Sequence, residues 1–306
     1  MNRFFQRMGA FYGVDETQVT EVSIKPHVLP PAPKPGVAKI EVKTEEGIPL
    51  TKRSVGWMQD LDRTKPRVPL YLPLKPRIIW LSGKPETGKS TDLRSIMLSY
   101  HQERYFEGGV YWTSGSGKKN PDLDFLDQEY FIEPTKKAND EHIEKLFAAK
   151  EAAEAKGKTL APNAYIIEDG TGWLGHHTGS KKPDLIKMLA SVFRHPKCTF
   201  VYVGHTATAA MPAIRTSSNL KIAHQSDSED HWKQIKKDSS MCLPAKYKKT
   251  ATYLEMVSRE CTGSKALLVR SSRTMQETYI YESLNVPSGR FKMHKPKYPV
   301  IQNPSR

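Results

Sequence analysis

The sequence has few cysteines, no long apolar run and too few acidic residues to balance its basic ones. Its three cysteines, Cys198, Cys242 and Cys261, lie far apart and lack the spacing of metal ligands. They are typical of free thiols in a reducing compartment, which argues against a disulfide scaffold or a zinc site. Because no stretch approaches about 18 uncharged apolar residues, we expect no membrane span. The first residues lack the apolar run and cleavage site of a signal peptide, so we do not expect secretion.

The shortage of acidic residues leaves the chain strongly basic. Lysine and arginine account for 47 of its 306 residues against 33 aspartates and glutamates, a formal net charge of +14. A chain this basic is expected to meet polyanions, with nucleic acid ahead of an anionic membrane surface. The alternative is that the charge serves solubility alone. Hydrophobic residues make up 38% of the chain, which supplies a core and excludes disorder throughout.

Composition divides the chain into three parts. Residues 1–76 are rich in proline, with five prolines between residues 24 and 36, and predict an extended arm or a linker. Residues 77–282 alternate strand and helix signals, which predicts an α/β fold with a mostly parallel central sheet and helices on both faces. Residues 283–306 contain five basic residues, four prolines and no acidic residue, and predict a basic, flexible tail.

Short apolar runs and helical periodicity predict the order of elements in the middle part. The predicted strands are 77–82, 108–113, 164–167, 199–204 and 220–223, and the predicted helices are 95–106, 140–156 and 184–194. Two later apolar runs, 266–269 and 278–281, predict a closing hairpin or edge pair.

One motif is specific enough to indicate a ligand. The run Gly83-Lys84-Pro85-Glu86-Thr87-Gly88-Lys89-Ser90 matches G-x-x-x-x-G-K-[ST] in full, and it lies between an apolar strand and a helical segment. Gly83 and Gly88 permit backbone angles that turn N–H groups toward phosphate oxygens. Lys89 places a cation against the β- and γ-phosphates, and Ser90 offers a hydroxyl to Mg²⁺. The motif therefore predicts a site for ATP and Mg²⁺ that includes the loop and Thr91 of the following helix.

Two acidic residues are candidates for the rest of this site. Glu168 and Asp169 directly follow the predicted strand 164–167, in the reverse of the usual Asp-Glu order. The favoured assignment gives Glu168 the metal and Asp169 the proton of the attacking water. A shift by one residue instead puts Asp169 on the metal and leaves the base open. A surface acidic pair that caps the strand is the non-catalytic alternative.

Three further residues are candidates for sensing or completing the reaction. His205 ends the predicted strand 199–204, where a polar side chain could sense the γ-phosphate as a hydrogen-bond donor. Arg194 and Arg215 are candidates for an arginine finger supplied to a neighbouring subunit, with Arg194 preferred. A structural histidine and surface or ion-paired arginines remain the alternatives.

The order of these motifs resembles the viral DNA-packaging ATPases of the FtsK–HerA superfamily, especially the poxvirus-type branch of large DNA viruses. The resemblance covers about residues 77–282. It rests on these segments: GKPETGKS at 83–90, YIIED at 165–169, the stretch 193–225 with its Arg-His pair and sensor strand, the helix 229–238 and the last strand 265–274. The sequence departs from the family at His205, where the family usually has Gln, and in the reversed acidic pair.

The resemblance implies a RecA/FtsK-like P-loop NTPase that assembles as a hexameric or pentameric ring. Such a ring uses ATP to move double-stranded DNA into a preformed capsid, where a vertex or portal protein would be its partner. The expected location is the virion, or the host-cell cytoplasm or nucleus at assembly sites. The basic runs 233–238 and 246–249 and the tail are candidate contacts to DNA phosphates.

Three other functions remain open at this point. The phosphate loop also resembles that of superfamily-3 viral replication helicases, although these place the second acidic motif nearer and end the sensor strand in Asn. A membrane-associated assembly ATPase of the filamentous-phage type would need a transmembrane segment. A nucleotide-binding adaptor without turnover is suggested only by the reversed acidic pair.

Overall fold

The computed structural model describes residues 54–170, 184–271 and 276–301, which form nine strands and flanking helices. The strands are β1 (Ser54–Asp60), β2 (Val68–Tyr71), β3 (Ile78–Ser82), β4 (Val110–Ser114), β5 (Asn163–Glu168), β6 (Cys198–Gly204), β7 (Leu220–Ala223), β8 (Lys265–Ser271) and β9 (Gln276–Ser283). The α-helices are α1 (Lys89–Gln102), α2 (Lys136–Ala155), α3 (Leu185–Val192), α4 (Pro212–Ser217), α5 (Glu229–Ser239) and α6 (Thr250–Glu260). The predicted α/β class is confirmed.

All nine strands belong to one mixed sheet in the order β2-β1-β9-β8-β7-β3-β6-β5-β4. The strands from β7 to β4 pair in parallel, and the strands from β7 to β2 pair antiparallel. The sheet is therefore half parallel, rather than mostly parallel as expected. Ser82 at the end of β3 lies opposite both Gly204 of β6 and Ala223 of β7. The parallel strands thus bring their carboxyl ends to one shared edge, where ligands of α/β folds bind.

The parallel strands form where apolar runs are covered on both faces. Every residue of β3 is buried, and so is every residue of β6. Such continuous apolar runs are typical of strands with helices above and below them. The predicted helix 95–106 begins earlier, at Lys89, directly after the phosphate loop. Gly88 ends the loop in the left-handed conformation, at φ +100°, and the helix follows at once.

The segment that precedes β3 corrects the predicted proline-rich arm. Strands β1 and β2 lie within residues 1–76, yet they extend the sheet beyond β9. Pro69 sits in β2, the outermost strand, which tolerates a residue without an N–H because only one side of an edge strand is paired. The predicted pair β8 and β9 is an antiparallel hairpin, but it lies inside the sheet and not at its edge. The remainder of the arm, residues 1–53, lies outside the described residues.

The segment after β9 corrects the predicted flexible tail. Val286 is fully buried, and Met293 is nearly so. The N–H of Met293 donates to the carbonyl of Phe125 at 2.8 Å, and the N–H of Val300 donates to the carbonyl of Gly108 at 3.1 Å. The described part of the tail is therefore packed against the rest of the domain, because two of its apolar residues are buried and its backbone is hydrogen-bonded to Phe125 and Gly108.

No helix among the described residues is long and apolar enough to cross a membrane.

Candidate nucleotide and magnesium site

The loop Gly83–Ser90 connects β3 to α1 at the carboxyl edge of the parallel strands. Gly83 has φ +145° and Gly88 has φ +100°, both in the region that favours glycine. A Cβ atom added to Gly83 would lie 2.5 Å from the Cβ atom of His224, so a larger residue cannot fit there. The two glycines of the motif are thus required by backbone conformation and, at the first, by close packing.

Lys89 reaches back across the loop from the first turn of α1. Its Nζ donates to the carbonyl oxygen of Gly83 at 2.8 Å and to that of Lys84 at 2.6 Å. Burial lowers the pKa of Lys89, while the nearby carboxylates of Glu168 and Asp169 raise it. The ammonium group of Lys89 is therefore held by two carbonyl oxygens of the loop. Phosphate oxygens are negatively charged, so they would be stronger acceptors for this group than the neutral carbonyl oxygens.

The start of the loop is braced by the segment that follows β7. The backbone N–H of Lys84 donates to the carbonyl of Gln225 at 3.0 Å. The Nζ of Lys84 pairs with Asp227 at 3.0 Å, although both side chains are partly or largely exposed. Thr87 is buried, and its hydroxyl donates to the carbonyl of Lys84 at 2.8 Å. The conformation of the loop is therefore stabilised by contacts with the segment after β7 and by a hydrogen bond within the loop itself.

The remaining residues of the motif divide between the tip of the loop and the helix. Pro85 and Glu86 are exposed at the tip, while Ser90 and Thr91 are half-buried on the first turn of α1. A helix of 14 residues begins here, and its unpaired N–H groups and positive dipole end favour an anion. The amide groups, Lys89 and the Ser90 hydroxyl form a donor set that fits a nucleotide phosphate with Mg²⁺.

Glu168 lies at the end of β5, beside the end of β4. The hydroxyl of Ser114 donates to Glu168 Oε2, and the two residues are register partners in the parallel pair. Burial raises the pKa of Glu168, and the charge of Asp169 adds to this rise; the Ser114 hydrogen bond and His205 oppose it. A carboxylate with a raised pKa close to a buried lysine is typical of a functional site.

Asp169 leaves the strand in a left-handed turn. Its φ is +48°, and its N–H donates to the carbonyl of Val203 at 2.9 Å. A Cβ atom on Gly115 would lie 2.4 Å from the carbonyl oxygen of Asp169, so only glycine fits after β4. His205 Nε2 lies 3.6 Å from Asp169 Oδ2, and the His205 side chain is 43% exposed. The predicted sensor histidine thus stands beside the acidic pair.

The two predicted finger residues differ in exposure and in their partners. Arg194 is exposed in the turn before β6, at the amino edge of the parallel strands, and stacks on Phe193. Arg215 on α4 is largely buried; its Nε pairs with Asp238 at 2.9 Å and its Nη1 donates to the carbonyl of Ala210 at 2.7 Å. A finger that acts on a neighbouring subunit must be exposed, which favours Arg194 over Arg215.

Sequence reasoning missed two polar residues at the same edge of the sheet. Ser114 directly follows the predicted strand 108–113, and His224 directly follows the predicted strand 220–223. The sequence could have indicated both residues, because the carboxyl ends of parallel strands lie at one edge of the sheet, where ligands bind. Neither belongs to a recognised local motif, so only the pairing of distant strands brings them to the site.

No protein-family model matches the chain, and no curated protein matches it. Among solved structures, the chain is similar to the genome packaging NTPase B204 of Sulfolobus turreted icosahedral virus 2 in complex with AMPPCP. The identity is 12%, the match covers 68% of this chain and 98% of that one, and the TM-score is 0.46.

Two further solved structures are similar over a larger share of the chain. One is EccC of Thermomonospora curvata (ATPases 2 and 3), at 14% identity and a TM-score of 0.50, covering 77% of this chain and 41% of that one. The other is the pCW3 conjugation coupling protein TcpA with ATPγS, at 11% identity and a TM-score of 0.51, covering 78% and 68%. At these identities the likeness shows the fold alone, which is the α/β fold of P-loop NTPases.

Proposed function

We propose that this chain is an ATP-driven motor that translocates double-stranded DNA and packages a viral genome into a preformed capsid. The observation that carries the proposal is the convergence, in a strongly basic chain, of the phosphate loop with Glu168 and Asp169 at one edge of the sheet. The sequence also resembles a family of DNA-packaging ATPases from the loop to β8. Among the possible functions of an ATPase, this resemblance favours DNA packaging.

The residues at the edge of the sheet have distinct roles in this proposal. Bound ATP and Mg²⁺ supply the phosphoanhydride bond and the charge that stabilises the transferred phosphoryl group. Lys89 binds the β- and γ-phosphate oxygens, and Ser90 with one carboxylate holds the metal. The other carboxylate orients the attacking water and accepts its proton. His205 is placed beside the carboxylates, where it can report the state of the γ-phosphate.

A cluster of lysines, three of them exposed and one half-buried, provides a surface for the DNA backbone. We call Lys236, Lys237, Lys248 and Lys249, at the end of α5 and just before α6, the lysine surface. Lys236 and Lys248 line a groove of about 250 Å³. None of the four ammonium groups has an ion-pair partner among the described residues. Lysines without carboxylate partners bind phosphates without regard to base sequence, as a packaging motor requires.

Helix α5 connects this surface to the nucleotide site. Its first turn holds His231, whose Nδ1 accepts the N–H of Ala207, two residues beyond His205. Its last turn carries Lys236 and Lys237, about 8 Å from His231 along the helix axis at 1.5 Å per residue. A rigid element with one end at each site can transmit a change in nucleotide state to the DNA contact.

Assembly into a ring would complete the motor. Arg194 is exposed on the edge opposite the phosphate loop, so it is available to a neighbouring copy and not to its own ATP. A hexamer or pentamer around DNA would place each such arginine at the next subunit's site, and a capsid vertex or portal protein would anchor the ring. The exposed position of Arg194, and the four lysines that have no ion-pair partner in the described part of the chain, support this arrangement.

The test is ATP hydrolysis by the purified chain with long double-stranded DNA, with single-stranded DNA, and with neither, at two salt concentrations. We expect stimulation by the duplex that weakens at higher salt, because phosphate contacts release counterions. Lys89→Ala is the control that removes hydrolysis without altering the lysine surface. Stimulation by single strands alone, with separation of a forked duplex, would favour the superfamily-3 helicase. No stimulation by any DNA would contradict the proposal.

A further inference from the structure

Two buried polar side chains meet directly beside the phosphate loop. Asp92 lies on the first turns of α1, and His224 is the first residue after β7. His224 Nε2 lies 2.7 Å from Asp92 Oδ2, and neither side chain has any exposed surface. The other polar atoms of the pair, Asp92 Oδ1 and His224 Nδ1, have no hydrogen-bond partner among the described residues. A buried pair kept for stability alone would be expected to satisfy all of these atoms.

His224 supports the loop through its backbone and its ring. Its N–H donates to the carbonyl of Ser82, the last residue before the loop, at 2.7 Å. A Cβ atom on Gly83 would lie 2.5 Å from the His224 Cβ, and one on Gly88 would lie 3.5 Å from its Cε1. His224 therefore contacts both ends of the phosphate loop, while Asp92 fixes its ring from the helix that carries Lys89.

A second buried histidine, His231 on α5, contacts the segment after β6. His231 Nδ1 accepts the N–H of Ala207 at 3.0 Å. Burial, and to a smaller extent the electrostatic influence of Lys89 and His224, lowers the pKa of His231 to about 4. His231 is thus neutral at neutral pH with its proton on Nε2. Its partner Ala207 lies two residues after His205.

We infer that Asp92 and His224 are positioning residues that hold the phosphate loop in its ATP-binding shape. The inference rests on the proposed function, because it assigns the two residues to the ATP site. Asp92 moves with Lys89 on α1, and His224 belongs to the opposite side of the loop. Their hydrogen bond closes the loop across its base, so breaking it lets the backbone N–H groups leave the geometry that phosphate requires.

The experiment compares His224→Ala, Asp92→Ala and the double variant with the wild-type chain by calorimetric titration of ATP and ADP, without DNA. We expect each single variant to bind ATP roughly tenfold or more weakly, since small misplacements of binding groups are costly. Because the two side chains act as one unit, the double variant should bind ATP with about the same affinity as the single variant that binds it less tightly. His224→Gln, which can place an N–H near the position of Nε2, should restore most of the binding.

Tyr165→Phe is the matched control for loss of a buried hydrogen bond. The Tyr165 hydroxyl donates to Asn139 Oδ1, both residues are fully buried, and the bond links β5 to α2. This variant should lower the thermal midpoint and leave ATP binding unchanged. Equal weakening in Tyr165→Phe, wild-type binding in both Ala variants, or losses that multiply in the double variant would overturn the inference.

Hydrogen exchange of residues 83–90 in the nucleotide-free chain gives a readout that does not depend on ATP. The loop amides should exchange faster in His224→Ala than in the wild type, with His224→Gln close to the wild type. If the wild type fails to bind ATP, the proposed function fails, and this exchange measurement still decides the inference. Failure of His224→Gln and Asp92→Asn to fold would show that the pair serves folding and would overturn it.

Discussion

His142 on α2 is buried as a neutral group in an aromatic environment. Its ring lies between Tyr111 at 4.8 Å and Tyr165 at 5.0 Å between ring centres. Burial lowers the pKa of His142 to about 3, and the nearby charge of Lys145 contributes to the same direction. In the unfolded chain a histidine has a pKa of about 6.5, so the unfolded state binds a proton first as the pH falls.

The first prediction is therefore a loss of stability on acidification that His142 causes in part. Its contribution is complete above about pH 6.5 and is lost as the pH falls toward 3, at up to about 1.4 kcal/mol per pH unit. Urea unfolding at pH 7, 6 and 5 gives the free energy of unfolding at each pH. The slope of this free energy against pH should be smaller in His142→Phe than in the wild type, because phenylalanine cannot bind the proton. Phenylalanine also keeps the ring packing, so the variant should fold. His195→Gln, at an exposed position, should keep the wild-type slope. Equal slopes in all three proteins would contradict the assignment.

The second prediction separates the roles of the two carboxylates. The variant of the metal ligand should bind ATP more weakly only when Mg²⁺ is present. The variant of the base should bind Mg·ATP normally and lose hydrolysis, by about 10²–10⁴-fold. We expect Glu168→Gln to behave as the ligand variant and Asp169→Asn as the base variant. The measurement is ATP titration with and without Mg²⁺, together with phosphate release; normal release in both variants would show that neither residue is catalytic.

At the scale of elements, α4 and α5 are joined by one nearly buried ion pair. Arg215 is 14% exposed and Asp238 is 8% exposed in this pair. Gln234 Nε2 also donates to Asp238 Oδ2 at 2.9 Å. Removing one partner of such a pair leaves the other charge buried, which is far more costly than the pair's net contribution. The contact therefore stabilises the crossover between β6 and β7.

The third prediction distinguishes this ion pair from the candidate finger. Arg215→Ala should lower the free energy of unfolding by about 3–5 kcal/mol. Arg194→Ala should change it by less than about 0.5 kcal/mol, because the residue is exposed. In the assembled protein Arg194→Ala should bind ATP yet hydrolyse it about 10³-fold more slowly. Denaturant unfolding and turnover measured against protein concentration test both statements; normal turnover in Arg194→Ala would exclude it as the finger.

At the scale of the whole molecule, part of the excess positive charge is concentrated on the lysine surface. The formal charge of +14 is spread over the chain, but two of the four residues of the lysine surface, Lys236 and Lys248, line one groove. Exposed lysines on other elements, such as Lys156 and Lys158 after α2, carry the same charge but do not line this groove. A polyanion bound by the groove should therefore depend on the first set and not on the second.

The fourth prediction follows from this difference. The paired change Lys236→Glu with Lys237→Glu should weaken double-stranded DNA binding for all sequences alike. It should also reduce the slope of log affinity against log salt by roughly one for each lost phosphate contact. Lys156→Glu with Lys158→Glu gives an equal charge change elsewhere and should leave the slope near that of the wild type. An equal effect of both pairs would mean that overall charge, and not the lysine surface, binds DNA.

Local patterns in the sequence determined much of the fold and the centre of the site. The loop 83–90 and the strands around it are predictable because glycine conformation, apolar runs and a lysine at a set position act within a few residues of one another. The same holds for Glu168 and Asp169, which directly follow a recognisable strand. These features depend on short stretches of chain, so they can be recognised without knowing which strands pair.

Tertiary pairing alone decided the rest. The strands within the proline-rich segment belong to the sheet because an edge strand tolerates Pro69, and the tail is packed because Val286 and Met293 find buried sites. Ser114 meets Glu168, and His224 meets Asp92, only because parallel strands distant in sequence end at the same edge. Contacts of this kind depend on the order of strands in the sheet, which short-range patterns do not specify.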